Sequence, residues 1–483
     1  MTEGTELKLR GYGLWLWLAA ALALGGALIF WRLTDSSLQV DEGFTLHVAR
    51  IALPQMFNAI TYGDFHPPLF YLIAHWLVAV LHWPAWDYRY LTAPFGLLTI
   101  AATWALVRRS FGDAAAICAA LVVATEPLLV QTDRTFRMYA VLAALTTVSW
   151  LALVAATGSK PRPALWLGYA LSAIALPYIH YLGGLVVVSQ AVFALTRART
   201  AWPALVASAL ALLAFLPWAP AMLQQFPVGG LAGSYGGAQF DWSALARETV
   251  AAGLPAGLRT PALDWAITVA VIAVIGAGTW LGRRTFLPYW LAPALMQIVF
   301  SFAFGKTLAL PRYLTYLLPA FAACIGVAFG YLIRTKARVL AAAAVLSIVG
   351  VSLLCDIDLL AVSYYKPSDW YAVDLLVRKD IAPTDVVVFD QGLPYAVLDE
   401  FATFREHEHY LVVAPDPPAG AVKWLDARRL ARVWYVENAA FYPDPEHVVR
   451  RRLSVTRRML GMWVQSHVNP ADDVLVILYG PRR

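Results

Sequence analysis

Charged side chains are scarce in this chain. Only 14% of its 483 residues are Asp, Glu, Lys or Arg, whereas a soluble globular protein carries about 25%. Hydrophobic residues make up 60%, and the formal net charge of +6 is modest. This balance excludes an ordinary water-soluble enzyme and gives no reason to expect a nucleic-acid partner. It predicts a protein whose solvent is a lipid bilayer.

Cysteine is also rare, and several familiar sequence patterns are missing. Cys118 and Cys324 lie inside apolar runs and Cys355 ends another, so neither a disulfide nor a zinc site is predicted. The chain has no internal repeat and no paired broken helices of the kind found in inverted-repeat transporters. The first apolar run lacks a clear signal-peptide cleavage site, so we expect an uncleaved first span.

Long apolar runs are what the chain has in abundance. A run of about 20 residues can cross a bilayer as a helix, and about eleven runs approach that length. The sequence therefore predicts a mainly α, polytopic transmembrane bundle. The predicted spans are Leu14–Trp31, Tyr88–Val107, Ala114–Val130, Met138–Ala156, Ala164–His180, Tyr181–Leu195, Trp202–Pro220, Leu263–Leu281, Phe286–Phe302, Tyr313–Ile333 and Val339–Cys355.

A further apolar run, Pro67–Trp83, is better interpreted as a helix that lies in the membrane interface. It is short, and Tyr71, His75 and His82 would share one polar face. With this run lying flat, most Lys and Arg residues of the short loops fall on one side, which the positive-inside rule assigns to the cytoplasm. This topology places the N-terminus inside and the C-terminus outside.

The composition changes after Cys355. We predict a transmembrane domain over residues 1–355 and a small α/β domain outside the membrane over residues 356–483. Strands are expected at Val386–Asp390, Tyr410–Ala414, Val433–Val436 and Val474–Tyr479, and helices at Asp369–Lys379 and Glu446–Leu460. The last helix would carry five arginines (450–452, 457 and 458), as a solvated face or as a contact to anionic lipid or glycan. No Gly-rich phosphate loop is present, so no cofactor is assigned to this domain.

An acid pair, Asp41 and Glu42, directly follows the first span and comes out on the outer side. Transfer of a sugar from a phosphate-linked donor needs a base for the acceptor hydroxyl and positive charge for the departing phosphate. Asp41 and Glu42 are the candidates for base and positioning group. Acidic residues in a first helical turn, which interact favourably with the helix dipole, are the alternative.

The other candidates reach the same outer side from distant parts of the chain. His66 would contact substrate or serve a structural role. Of Asp133, Arg134 and Arg137, one arginine would hold Asp41 or a phosphate, or an Arg-Asp pair would merely cap the helix. Lys306 and Arg312 suit a lipid phosphate, although cations that snorkel to the interface are common. These candidates, with their neighbours in the same motifs, are His66, Asp133, Arg134, Arg137, Tyr139, His180, Lys306, Arg312 and Tyr313.

Five of these stretches, taken in order, resemble one family. The acid pair, HPPL after Phe65, R-x-x-R-M-Y ending at Tyr139, the His180-Tyr181 hairpin and PRYL at 311–314 look like the bacterial relatives of protein O-mannosyltransferases. These are membrane glycosyltransferases of the GT-C class, and they include the lipid A aminoarabinose and galacturonic acid transferases. The resemblance covers roughly residues 10–340.

This resemblance implies an inverting transferase that moves one sugar from a polyprenyl-phosphate donor at the outer face of the bacterial inner membrane. Asp41 matches the catalytic acid and Glu42 its neighbour. His66 matches the HP motif, Arg137 matches the outer-loop arginine, and Arg312 and Tyr313 match the stretch near the donor phosphate. Two interfacial helices in the first outer loop are also implied. Phe65-His66-Pro67 stands where the aminoarabinose transferases have Glu-Lys-Pro, so their substrate and metal site are not transferred.

The acceptor is expected to be a hydroxyl of a membrane lipid, a glycan or a protein, and the sequence does not choose among them. Dependence on a divalent cation also stays open. A transporter or lipid flippase is the rival from another class, but its charges would follow a path through the bundle. A ligase or polymerase of lipid-linked oligosaccharides would share the outer site without the observed order of motifs.

Overall fold

The computed structural model describes residues 11–158, 162–228, 260–304, 311–361, 369–390, 392–412, 418–438, 447–465 and 473–482. The chain is mainly helical as far as residue 361, and a small sheet follows. Every apolar run predicted to span the membrane is helical over most of its length.

The helices before the sheet are numbered here in chain order. They are α1 (Gly11–Phe30), α2 (Val40–Arg50), α3 (Leu53–Gly63), α4 (Leu69–Leu81), α5 (Arg89–Phe111), α6 (Asp113–Ala124), α7 (Pro127–Asp133), α8 (Met138–Ala156), α9 (Pro163–Ile179), α10 (Tyr181–Leu195), α11 (Ala198–Phe215), α12 (Ala219–Val228), α13 (Pro261–Leu281), α14 (Arg283–Phe286), α15 (Ala292–Phe304), α16 (Leu318–Ile333) and α17 (Arg338–Ala361). Short 3₁₀ turns at Ala85–Tyr88 and Pro311–Leu314 precede α5 and α16.

Within the described residues, six helices are long and apolar enough to cross a membrane. The pair α6 and α7 adds a seventh if it forms one span, with a bend of 59° where Pro127 starts the second helix. Shorter apolar helices include α4, α9, α10 and α16. Apolar residues such as Leu210 of α11, Val269 of α13 and Phe302 of α15 are well exposed, which suits contact with lipid.

The C-terminal part contains a five-stranded mixed sheet in the order β2-β1-β3-β5-β4. Strand β1 pairs parallel with both neighbours, whereas β5 pairs antiparallel with β3 and β4. The strands are β1 (Val386–Phe389), β2 (His409–Leu411), β3 (Val433–Asn438), β4 (Arg457–Gln465) and β5 (Val474–Arg482). The helices among them are α18 (Trp370–Arg378), α19 (Gly392–Leu398), α20 (Ala402–Arg405), α21 (Pro418–Ala427) and α22 (Val448–Thr456).

One sequence prediction in this part is wrong. The helix expected at Glu446–Leu460 ends at Thr456, and Arg457 begins β4. The five arginines therefore do not share a helix. Arg457 is buried, and its guanidinium donates to the carbonyl oxygens of Ala431 and Gly480, at 2.5 and 3.2 Å. The backbone of Arg457 pairs with β5, and this pairing favours a strand where the sequence pattern predicted a helix.

The C-terminal part packs directly on α2, the helix that begins with the acid pair. Val397 of α19 lies so close to Gly43 that a Cβ there would be 2.6 Å from Val397 Cγ2. Arg50, at the end of α2, forms an ion pair with Glu400. Helix α2 is therefore held between the helical bundle and the C-terminal part.

Candidate active site

The acid pair lies in the first turn of α2, and the two side chains have different surroundings. Gln39 caps the helix, and its backbone N–H donates to the Glu42 carboxylate at 2.9 Å. Successive residues of an α-helix are rotated by about 100°, so Asp41 and Glu42 point in different directions. Glu42 is fully buried, whereas about a third of the Asp41 side chain is accessible (31%).

Glu42 forms a buried ion pair with Arg89, the first residue of α5. The two carboxylate oxygens accept from Nε and Nη2 of Arg89 at 2.8 and 2.6 Å, and one also accepts from the backbone N–H of Phe136 at 2.8 Å. Arg89 also donates to the carbonyl oxygens of Ser36 and Ser37. Glu42 and Arg89 thereby hold together α2, α5 and the loops that contain Ser37 and Phe136, so Glu42 fits a supporting role.

Asp41 pairs instead with Arg312, from the PRYL turn. Arg312 Nη1 donates to Asp41 Oδ2 at 2.8 Å, and about a third of each side chain remains accessible (35% and 31%). Burial alone would raise the pKa of the Asp41 carboxyl, but the nearby guanidinium groups of Arg312 and Arg137 outweigh it. The pKa of Asp41 is therefore below its usual value, and the group is ionised at neutral pH.

Arg137 anchors the other side of Asp41. It caps the N-terminus of α8, is 3% exposed, and donates from Nη1 to the Asp41 carbonyl oxygen (3.1 Å), Thr45 Oγ1 (2.7 Å) and the Tyr71 hydroxyl (3.1 Å). Its Nε is buried without a hydrogen-bond partner in the described part of the chain. A buried cation with a spare donor is suited to an anionic group.

Asp64, which the sequence analysis did not single out, completes a network with His66. Its carboxylate lies 3.0 Å from His66 Nδ1 and accepts a hydrogen bond from Tyr71. Burial would raise the pKa of Asp64, but His66 and Arg137 together lower it below the usual range. Asp64 thus fixes both the imidazole of His66 and the hydroxyl that contacts Arg137.

Four buried rings form a cluster beside this network: His66, Tyr139, His180 and Tyr313. The ring centroids of His66 and His180 are 5.1 Å apart, and that of Tyr313 is 5.5 Å from His180. Tyr139 lies 5.8 Å from His180 and 6.2 Å from Tyr313. His180 Nδ1 accepts from the N–H of Leu182, and its Nε2 has no partner among the described residues. The structure therefore brings these four predicted residues together.

Two predicted site residues are not brought to this cluster. Arg134 donates to the carbonyl oxygens of Leu28, Ile29 and Trp31, so it caps the end of α1. Asp133 packs against Gly96 of α5, where a Cβ would be 2.2 Å from its Oδ2. Lys306 lies outside the described residues.

A second group missed by the sequence analysis links α12 to the site. Gln225 is buried and donates to the carbonyl oxygens of Ile60 and His66, at 2.9 and 3.4 Å. Its side-chain oxygen accepts from the Tyr181 hydroxyl, which also accepts from the indole of Trp218 at 3.0 Å. Tyr181 directly follows His180, so this chain of contacts fixes the hairpin between α9 and α10.

The described part of the chain contains no group of three or more His, Cys, Asp or Glu residues arranged to hold a metal ion.

The comparisons with known proteins agree on a fold. Residues 65–220 match the family of dolichyl-phosphate-mannose-protein mannosyltransferases. No curated protein sequence matches the chain. Among solved structures, apo ArnT from Cupriavidus metallidurans aligns with a TM-score of 0.54 at 15% identity, over 97% of this chain and 98% of that one.

Two further structures show the same similarity. ArnT from the same organism bound to undecaprenyl phosphate aligns with a TM-score of 0.52 at 15% identity, over 97% of this chain and 98% of that one. The archaeal oligosaccharyltransferase AglB from Archaeoglobus fulgidus, in complex with an inhibitory peptide and a dolichol-phosphate, aligns with a TM-score of 0.52 at 11% identity, over 94% and 73% of the two chains. These findings confirm the resemblance to the GT-C class of membrane glycosyltransferases, and the chain is a multi-pass membrane protein with an ArnT-like fold.

Proposed function

We propose that the protein is an inverting glycosyltransferase that moves one sugar from a polyprenyl-phosphate donor to an acceptor hydroxyl. The observation that carries this proposal is the ion pair of Asp41 and Arg312, beside the buried guanidinium of Arg137. A carboxylate and two guanidinium groups lie together in one partly accessible site, which supports their use as base and as positive charge. The match to the mannosyltransferase family and the undecaprenyl phosphate bound by ArnT support a lipid-linked donor.

The proposed reaction is a single displacement. Asp41 takes the proton of the acceptor hydroxyl, whose oxygen forms a bond to the anomeric carbon. The bond from that carbon to the phosphate oxygen breaks, and polyprenyl phosphate leaves with the extra negative charge. Arg312 stabilises that charge, assisted by Arg137. One displacement at the anomeric carbon inverts its configuration.

Exchange of partners by Arg312 would couple donor binding to base strength. While Arg312 pairs with Asp41, it holds the pKa of the carboxyl low and makes it a weak base. A donor phosphate that draws Arg312 towards itself would let the pKa of Asp41 rise towards its usual value. The base then becomes stronger only when the leaving group is in place.

The rings of His66, Tyr139, His180 and Tyr313 are proposed to line the sugar-binding part of the site. Aromatic faces pack against sugar rings. Nε2 of His180, which has no hydrogen-bond partner among the described residues, can form a hydrogen bond with a sugar hydroxyl. We further propose that the site faces the outside of the bacterial inner membrane, and that residues 356–483 form a separate domain there.

Mass spectrometry of the lipids and glycans of the cell envelope tests this function. A deletion strain should lack one defined sugar, and complementation with the full chain should restore it. A deletion strain with an unchanged set of sugars would contradict a transferase and favour a transporter.

A further inference from the structure

A cavity of about 420 Å³ lies where the end of α4 meets the C-terminal part, away from the ring cluster. Its wall includes Arg50 at the end of α2, His82 and Trp83 just after α4, Tyr88 before α5, and Arg405 at the end of α20. Pockets for small ligands have volumes of roughly 300–1,000 Å³. The cavity is therefore large enough for a polar headgroup.

The two arginines have donors to offer a ligand. Arg405 donates from Nε and Nη2 to the carbonyl oxygen of Asp399, at 3.0 and 2.7 Å. In the described part of the chain these are its hydrogen bonds, so no carboxylate is hydrogen-bonded to this guanidinium and Nη1 can bind a ligand. The carboxylates of Asp399 and Glu400 lie near enough to interact with its charge. Arg50 uses Nη1 on Glu400, which leaves Nη2. Two guanidinium groups with spare N–H donors suit a phosphate, which arginine binds with matching geometry.

Exposed apolar side chains lie on the helix that leads to the cavity. Trp76 and Val80 lie four residues apart on one face of α4 and are 60% and 72% exposed, and Trp83, just after this helix, lines the cavity. Exposed tryptophan and aliphatic side chains beside charged groups are typical of the membrane interface. Acyl chains could lie along this face while a headgroup enters the cavity.

We propose that this cavity binds the phosphate-bearing headgroup of a membrane lipid, with Arg405 and Arg50 holding the phosphate. The lipid would lie with its acyl chains along Trp76 and Val80. Arg50 and Asp41 are nine residues apart on α2, about 13 Å along the helix axis, so this site is separate from the proposed catalytic site. A lipid held here would also bridge α2 and the C-terminal part.

Removal of the negative charge of Asp399 tests the proposal, because phosphate binding should then become stronger rather than weaker. The Asp399 carboxylate also lines the cavity and would repel a phosphate. Asp399→Asn removes that repulsion and keeps the backbone carbonyl that Arg405 contacts, so it should strengthen phosphate binding. Arg405→Ala should weaken binding about tenfold, because one charge-assisted contact is lost. Arg429→Ala, a change at an exposed arginine of the same part, is the matched control.

Native mass spectrometry of the full-length protein, titrated with a phosphatidylglycerol, measures these affinities. Diacylglycerol and inorganic phosphate serve as separate probes. All variants are measured in the Asp41→Asn background, so the result does not depend on whether the protein transfers a sugar. The proposal requires weaker binding in Arg405→Ala and in Arg50→Ala, stronger binding in Asp399→Asn, and no change in Arg429→Ala.

Equal affinity of the wild type and both arginine variants would overturn the proposal. Binding of diacylglycerol as tight as that of phosphatidylglycerol would show that the phosphate is not recognised, and this result would also overturn the proposal. Binding of inorganic phosphate as tight as that of the phospholipid would assign the cavity to free phosphate and overturn the proposal that it binds a lipid headgroup.

Discussion

Asp41 and Arg312 are 271 residues apart in the chain, yet their side chains form an ion pair of 2.8 Å. The pair joins the start of α2 to the turn before α16. A carboxylate and a guanidinium that share one accessible site can act together on a substrate that carries a hydroxyl and a phosphate. The contrast with the neighbouring Glu42, whose oxygens are all committed, separates the two acids of the pair.

Replacement of Arg312 should change both the rate and its pH dependence. Arg312 lowers the pKa of Asp41, so wild-type transfer should persist down to about pH 4, near the ordinary pKa of an aspartate. In Arg312→Ala that pKa rises, so activity should be lost at a higher pH as the solution is acidified. We expect transfer at pH 7 to fall about 100-fold, because the departing phosphate loses its cation. The pH profile of kcat/KM measures both effects, and Arg312→Lys is the control that keeps the charge.

A profile in which Arg312→Ala loses activity at the same pH as the wild type would show that the ion pair does not set the protonation of the catalytic group.

Glu42→Gln should reduce stability rather than alter the chemistry. The change leaves Arg89 buried without its carboxylate, and removal of one partner from a buried ion pair costs roughly 3–5 kcal/mol. Asp113→Asn disrupts the exposed pair with Arg108 and should cost less than about 1 kcal/mol. Thermal unfolding of the purified proteins in detergent compares the two. Similar unfolding temperatures for both variants would argue against the anchoring role of Glu42.

Asp64→Asn should lower the stability of the folded protein at neutral pH. It should also make that stability less sensitive to acidification. The folded state lowers the pKa of Asp64, so its contribution to stability is complete above about pH 4 and is lost as the pH falls further. The wild type should therefore lose more stability than Asp64→Asn between pH 5 and pH 3. Unfolding temperatures measured across this interval test the difference, and parallel curves would refute it.

Gly43→Ala should loosen the contact between α2 and the C-terminal part. The added Cβ would lie 2.7 Å from the Val397 Cα, so backbone must move. Hydrogen exchange of residues 392–398 should become faster. Gly63→Ala is the matched control, because a Cβ there meets nothing within 4 Å. Unchanged exchange in Gly43→Ala would mean that α19 can shift without leaving α2.

The sequence predicted most of the helices and many residues of the candidate site. Asp41, His66, His180 and Arg312 come from separate stretches, and the predicted topology puts all four on one side of the membrane. Long apolar runs give a strong helical signal, because each must satisfy its backbone hydrogen bonds within the membrane. Convergence of the loops then follows from the order of the spans.

Features that depend on distant contacts were not predicted. Asp64 and Tyr71 are seven residues apart across two prolines, so no helical spacing linked them. Asp133 ends α7 and Arg137 caps α8, and the turn between the two helices points their side chains to different neighbours. The start of strand β4, residues 457–460, is predicted as helix because the pairing partner of this strand, β5, comes later in the chain.

The role of Asp41 is tested most directly by Asp41→Asn, assayed for transfer from a polyprenyl-phosphate sugar in membranes. The amide keeps the size of the side chain but cannot accept the proton of the acceptor, so transfer should be abolished while unfolding temperature and membrane insertion stay near those of the wild type. Asp35→Asn, at an exposed acid between α1 and α2, should transfer normally. Near-normal transfer by a correctly folded Asp41→Asn variant would contradict the account.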